Sequence, residues 1–360
     1  MIFENTDFRQ EVLDLHSPYD VKLVQSFLKK YNFDFLSEDV DYTMILYNLN
    51  GNLIGTGSHK GKILKYVVVE EQYRESSAFA QIVTHLTDIL LQHEKYVFVF
   101  TLPANIVIFE GIGFKHIASA PPLFSVLEFG YKSITDYVDY LLRIQRDTHT
   151  DNIAAMVVNC NPFTNGHLFL IEKAASESEF LYLFVVEEEH SAFPFDIRWK
   201  LIENGIAHLK NVVMVKGGEY IVSGSIFPSY FLKNEEISLV SQKQAELDVN
   251  IFANYVVPTL QIKKRYIGTE NLCKTTAAYN KAMHEILPKH NVEVIEIKRK
   301  AIGMCGDVPN FISASKVRQA IRENNIMSVI EFLPESTANF LLSNDSWEIR
   351  QKIKKSDSRH

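Results

Sequence analysis

Cysteine is scarce. The 360 residues hold three, Cys160, Cys273 and Cys305, far apart and with no C-x-x-C. An odd, scattered set excludes a disulfide framework and a thiolate zinc site, and it suits a reducing setting. Long apolar runs are missing too, since none approaches the roughly 18–20 residues of a spanning helix. No membrane partner is therefore expected. The opening MIFENTDFRQEV lacks the basic and then apolar pattern of a secretory signal, so the expected location is cytoplasmic. Positive charge is not in excess: 37 Lys+Arg against 44 Asp+Glu leave a formal charge of −7. That balance does not favour nucleic acid or an anionic membrane as a partner for the whole chain. There is no internal repeat and no low-complexity tract.

What remains is the composition of a folded protein. Hydrophobic residues make up 46% and charged residues 22%, which argues against disorder. The length suggests two or three domains. The first region, residues 1–130, mixes strands and helices. YTMILYNL (42–49) and NLIGTGS (52–58) flank Asn50-Gly51, a hairpin signal, and ILKYVVV (63–69) reads as a strand. The glycine run GTGSHKG (55–61) sits in that hairpin and lacks the strand–turn–helix order of a dinucleotide fingerprint. Residues 78–95 show helical spacing, with Phe79, Ile82, Val83, Leu86 and Leu90 on one stripe, and KYVFVFTL (95–102) returns to a strand. This is an α+β pattern.

Residues 131–146 read as a connecting helix. In residues 147–345, strand candidates at 153–159, 180–188, 211–218, 264–270 and 292–299 alternate with helical patterns such as 167–175 and 280–287. That order predicts a doubly wound parallel sheet with helices on both faces. Residues 346–360 are polar and basic, and from Trp347 a frayed tail is expected.

Two segments carry the chemistry. Residues 154–175, AAMVVNCNPFTNGHLFLIEKAA, read strand, polar turn, helix. An anion sits well at the amino end of such a helix, and Gly166 lets backbone approach it. Thr164 and His167 are three apart and can share a side there, where both can donate to phosphate oxygens. A Thr N-cap with an incidental His explains the four residues equally well. The second segment, ISASKVRQAIR (312–322), follows the fifth strand and a loop. Ser313 or Ser315 can cap a helix and bind phosphate, and Arg318 lies one turn further on. A solvated Ser-capped helix is the plainer alternative. The two segments together favour a phosphate site, because both fall at carboxyl ends of parallel strands.

Other signals weigh less. Ser313-x-x-Lys316 matches an acyl-enzyme pattern only by coincidence, and Pro288 stands where a zinc helix begun at His284-Glu285 would need its second ligand. Cys160 reads as small-residue packing. Phe195, Phe227, Tyr230 and Phe231 read as core or pocket-wall aromatics. Asp196 and Arg198 fit either a local ion pair or a substrate pocket.

TNGH (164–167) and ISASKVR (312–318) resemble the two signatures of the HxGH nucleotidyltransferase superfamily, with Thr164 in place of its first His. NCNPFTNGH, FPFDIRWKLIENGI (193–206), GGEYIVSGSIFPSYFLK (217–233) and RYIGTE (265–270) resemble the citrate lyase ligase family over nearly the whole chain. The resemblance implies a Rossmann-like nucleotidyltransferase domain and roles for single residues. His167 and Thr164 would meet the ATP phosphates and the transition state. Ser313, Ser315 and Arg318 would hold the departing pyrophosphate. Asn159, Phe163 and Gly166 would shape the nucleotide pocket, and Gly268 and Glu270 would contact adenine or ribose. It also implies ATP and Mg²⁺, acetate as substrate, and as partner the acyl-carrier subunit of citrate lyase with its phosphopantetheine-type thiol.

VVVEEQYRESSAFAQIV (67–83) and ANIVIFEGIGF (104–114) resemble GNAT-type acetyltransferases, whose strand–loop–helix binds acyl-CoA. The usual R-x-x-G-x-G/A here reads Arg74-Glu75-Ser76-Ser77-Ala78-Phe79. Acyl-CoA, a carrier's pantetheine arm and the partner protein all stay open as ligands of this GNAT-like domain. Two other functions stay open beside the ligase: an adenylyltransferase acting on a small phosphate ester, and a non-catalytic acyl-carrier-binding protein.

Overall fold

The computed structural model describes residues 8–146, 150–187, 191–221, 228–232, 235–269, 274–298, 301–305, 308–311 and 313–355. They fall into two units. One comprises Met1–Asp139 and Phe227–Asn250, the other Tyr140–Ile226 and Ile251–His360.

The first unit is built on β1 (Phe8–Val12), β2 (Tyr42–Asn48), β3 (Leu53–Lys60), β4 (Ile63–Val69), β5 (Tyr96–Thr101), β6 (Lys115–Ala120) and β7 (Phe124–Gly130), with α1 (Pro18–Lys29), α2 (Ala78–Leu90) and α3 (Ile106–Glu110). The sheet order is β1-β2-β3-β4-β5-β7-β6. The β2–β3 turn is the expected one: Asn48 Oδ1 accepts from the Asn50 and Asn52 amides, and Gly51 has φ +79°. Side chains alternate across the sheet. Met44 and Leu46 join the core under α2, whereas Ile45 joins the core under α1. The α2 stripe packs as expected, with Ile82 and Leu86 fully buried. Gly55 and Gly57 explain the close approach of α2 to β3. A Cβ at Gly57 would lie 2.5 Å from Ile82 and 2.9 Å from Leu86.

The second unit has β8 (Ile153–Val158), β9 (Phe180–Val185), β10 (Val212–Lys216), β11 (Lys264–Gly268) and β12 (Glu293–Ile297), in the order β10-β9-β8-β11-β12 and all parallel. Helices α5 (Asn165–Ser176), α6 (Phe195–Gly205) and α9 (Lys274–Ile286) lie between strands in the chain. The amphipathic connecting helix is α4 (Ile134–Ile144), α7 (Ile237–Ile251) falls almost wholly in the first unit, and α8 (Val257–Leu260) precedes β11. The fold class is the expected one, a mixed α/β chain with a doubly wound parallel sheet after an α+β region.

Two features differ from expectation. The loop expected after the fifth strand holds an antiparallel hairpin, β13 (Ala301–Cys305) and β14 (Val308–Phe311), before α10 (Ala314–Arg322). The expected frayed tail is helical up to Lys355. After α11 (Glu335–Leu342), α12 (Trp347–Lys355) buries Ile349 and Ile353 against a cluster that includes Val317, Ile321 and Leu341. Two apolar residues four apart suffice to dock one face of a basic helix.

Candidate active site

The strand order reverses between β8 and β11, and in open α/β sheets the crevice at that point takes ligands. The β8–β11 ladder runs over Lys264↔Ala154 and Arg265↔Ala155 and then stops, so the carboxyl ends part. Asn159 follows β8 directly, and Gly268 ends β11.

The turn after β8 is held from below. Asn161 Oδ1 accepts from the Phe193 amide at 2.9 Å, and the Ser191 hydroxyl donates to Asn159 Oδ1 at 3.3 Å. Arg198 on α6 is fully buried. Its Nε donates to the Phe193 carbonyl at 2.9 Å, and one terminal nitrogen donates to the Asn159 and Val186 carbonyls, both at 2.8 Å. Arg198 is therefore a strut joining the ends of two strands to the start of α6, while Asp196 is exposed. Cys160 is buried with φ +52°, and burial pushes its thiol well above the ordinary range. It packs, as expected.

Thr164 is the N-cap of α5, with extended backbone. Its Oγ1 accepts from the His167 amide at 3.4 Å. His167 Nδ1 in turn accepts from the Thr164 amide at 3.2 Å and lies 3.0 Å from Thr164 Oγ1. An amide can only donate, so in the neutral ring Nδ1 is bare and Nε2 carries the proton. The cap thus sets the imidazole as a donor through Nε2. The Asn165 and Gly166 amides are left over from this cap among the described contacts, as donors at the positive end of the helix. Phe163 is wholly buried and backs the imidazole, with ring centroids 6.4 Å apart and planes 14° from parallel.

Arg318 brings the second segment to the first. It is buried on α10 and donates to the Asn161 carbonyl in the β8 turn. Burial first, and then the charge of Arg322, lower its pKa from the ordinary value. A desolvated guanidinium beside a helix amino end attracts an anion. Ser313 caps α10 by accepting from the Lys316 amide at 3.3 Å, and Ser315 is exposed in its first turn. The Gly268 carbonyl accepts from Asn280 at 3.1 Å. Asn159, Phe163, Thr164, Gly166 and His167 thus share one turn, and Arg318 joins it through Asn161. Ser313 and Ser315 stand at the start of α10, the helix that carries Arg318, and Gly268 ends β11. Glu270 lies outside the described residues.

Sequence reasoning did not single out Asn161 and Ser191, and left Arg198 open. The N-C-N run before Pro162 is the one local sign of Asn161. The partners of Asn161 and Asn159 are 32 residues away, which no local pattern marks. Among the described residues, no group of three or more His, Cys, Asp or Glu could hold a metal ion. No described helix is long and apolar enough to cross a membrane.

Residues 153–341 match the citrate lyase ligase C-terminal domain. The chain is 34% identical over 329 residues to the [citrate [pro-3S]-lyase] ligase of Haemophilus influenzae, covering 89% of this chain and 95% of that one. It is 33% identical over 325 residues to the Klebsiella pneumoniae protein of the same name, covering 89% and 92%. Among solved structures it is similar to a bifunctional NMN adenylyltransferase/ADP ribose pyrophosphatase from Francisella tularensis, with a TM-score of 0.36, 15% identity and coverage of 56% and 52%. It is also similar to a putative N-acetyltransferase from Lactobacillus plantarum, with a TM-score of 0.29, 14% identity and coverage of 35% and 99%. With the matched domain spanning the whole β8-to-α11 site and relatives aligned over nearly their full length, the chain belongs to the citrate lyase ligase family.

Proposed function

We propose that this enzyme uses ATP to acetylate the thiol of the prosthetic group on the acyl-carrier subunit of citrate lyase, releasing AMP and pyrophosphate. The observation that supports it most is the convergence of the Arg318 guanidinium, the amino end of α5 and the Nε2–H tautomer of His167 on one turn at the strand switch point. That arrangement matches the charge that builds on a phosphate during displacement.

In the first step an acetate oxygen attacks the α-phosphorus of ATP. The bond from that phosphorus to the bridging oxygen breaks, and pyrophosphate leaves. His167 donates from Nε2 to an α-phosphate oxygen as its charge rises, and Thr164 keeps the ring in place. Gly166 opens backbone to the phosphates, Asn159 edges the pocket, and Phe163 supports it from behind. Pyrophosphate departs toward Arg318 and the first turn of α10, with Ser313 and Ser315. Gly268 and Glu270 border the adenosine. Mg²⁺ would accompany ATP and neutralise charge on the departing pyrophosphate, and with no cluster of metal-ligating side chains among the described residues it would be held largely by phosphates and water. In the second step the thiolate attacks the acetyl carbon, the bond from that carbon to the AMP oxygen breaks, and AMP leaves. A free thiol on the carrier suits a reducing cytoplasm.

The test is pyrophosphate release from ATP and Mg²⁺, with acetate and thiol-form citrate lyase omitted in turn. Release should require acetate, and acetylated carrier should appear only with the lyase. Release driven by a phosphate ester in the absence of acetate would contradict the proposal.

A further inference from the structure

The GNAT-like fold of the first unit implies an acyl-CoA ligand, but the residues present do not fit one. In its sheet β4 and β5 are a parallel pair, and their ladder covers only Ile63↔Phe98 and Leu64↔Val99. On its other side β4 pairs with β3 through Ser58↔Lys65 and next through Thr56↔Val68, so both ladders lapse at Tyr66. A lapse between strands offers backbone groups to a linear amide chain, which binds there as an added strand would. The pantetheine arm of CoA is such a chain.

Here the opening is filled from within. Tyr66 has φ +53°, and its amide donates to the Tyr230 hydroxyl at 3.0 Å. The Tyr230 ring lies 4.4 Å from that of Tyr66, 5.9 Å from Phe33 and 5.2 Å from Phe231, and Phe231 lies 5.7 Å from Phe124. Lys65 Nζ sits 5.4 Å from the centroids of both tyrosine rings and donates to the Asp39 carbonyl. The loop before α2 is also used internally. The Ala78 amide donates to Ser76 Oγ at 3.2 Å, and Phe79 packs edge-on against Phe109 at 5.2 Å. A pyrophosphate would need open amides and bare backbone at that helix start.

We infer that the first unit is closed to acyl-CoA, and to any other pantetheine arm, by residues 228–232 of its own chain with Tyr230 as the plug. The unit is a scaffold that anchors this segment and is not a second acyl-transfer site.

Hydrogen–deuterium exchange of residues 63–69 tests this. ATP is kept saturating, because CoA carries an adenine nucleotide that can enter the second unit. Excess acetyl-CoA should leave exchange in this segment unchanged. Tyr230→Phe keeps the ring but removes the acceptor, and should speed exchange at one amide roughly tenfold while β2 is unaffected. Slower exchange on adding acetyl-CoA to the unaltered chain, or no change in Tyr230→Phe, would overturn the inference.

Discussion

At the scale of single residues, Thr164 and Arg198 hold the turn after β8, one from the start of α5 and the other from α6. His167→Ala should lower kcat by roughly 10²–10³-fold with little change in the KM for ATP, because the proposed hydrogen bond to the α-phosphate would strengthen as charge develops. Steady-state pyrophosphate release measures both. Thr164→Val keeps the shape but loses the cap and should cost about 1 kcal/mol of stability. It should also lower kcat, and Thr164→Ser should restore most of both. If Thr164→Val lost stability but kept full kcat, the Thr164 hydroxyl would have no part in placing the ring, since the backbone amide that bonds Nδ1 stays in the variant. Arg198→Met removes donors from three carbonyls and should destabilise by on the order of 3 kcal/mol, read from denaturant midpoints. Thr164, Gly166 and His167 were legible as candidates because strand, turn and helix are contiguous in residues 153–176. The strut was not, since the Arg198 acceptors at Asn159 and Val186 come from elements that only the folded sheet brings together.

At the scale of elements, close packing sets the next tests. Gly57→Ala would place a Cβ against the stiff Ile82 branch and should cost roughly 1–3 kcal/mol, visible as a lower Tm. The histidines beside β2 give a pH dependence. Tyr42 bonds His85 at 2.7 Å and stacks on His59 at 5.5 Å. Burial lowers the pKa of both imidazoles. The unfolded chain therefore binds protons near pH about 6.5 that the folded chain takes only at lower pH. Stability should fall as pH falls through that window. Thermal melts between neutral pH and mild acid check it, and His85→Gln should flatten the dependence. Alternation of five apolar strands with helices made the parallel sheet readable. The β13–β14 hairpin and α12 were not, because α12 docks through Ile349 and Ile353 alone in a basic segment.

At the scale of the whole molecule, the chain carries an α+β unit and a parallel-sheet unit that holds the matched citrate lyase ligase C-terminal domain. The resemblance from residue 150 onward indicated the family of the parallel-sheet unit, whereas residues 74–79 left the ligand of the α+β unit open. The plug was illegible, since Tyr230 is 164 residues from Tyr66 and read only as a core or pocket aromatic. In the proposed reaction acetate itself attacks the α-phosphate. Acetate labelled with ¹⁸O in both oxygens, incubated with ATP, Mg²⁺ and thiol-form citrate lyase, tests that most directly by mass spectrometry of the products. AMP should carry one ¹⁸O and pyrophosphate none. Unlabelled AMP, or label in pyrophosphate, would contradict it.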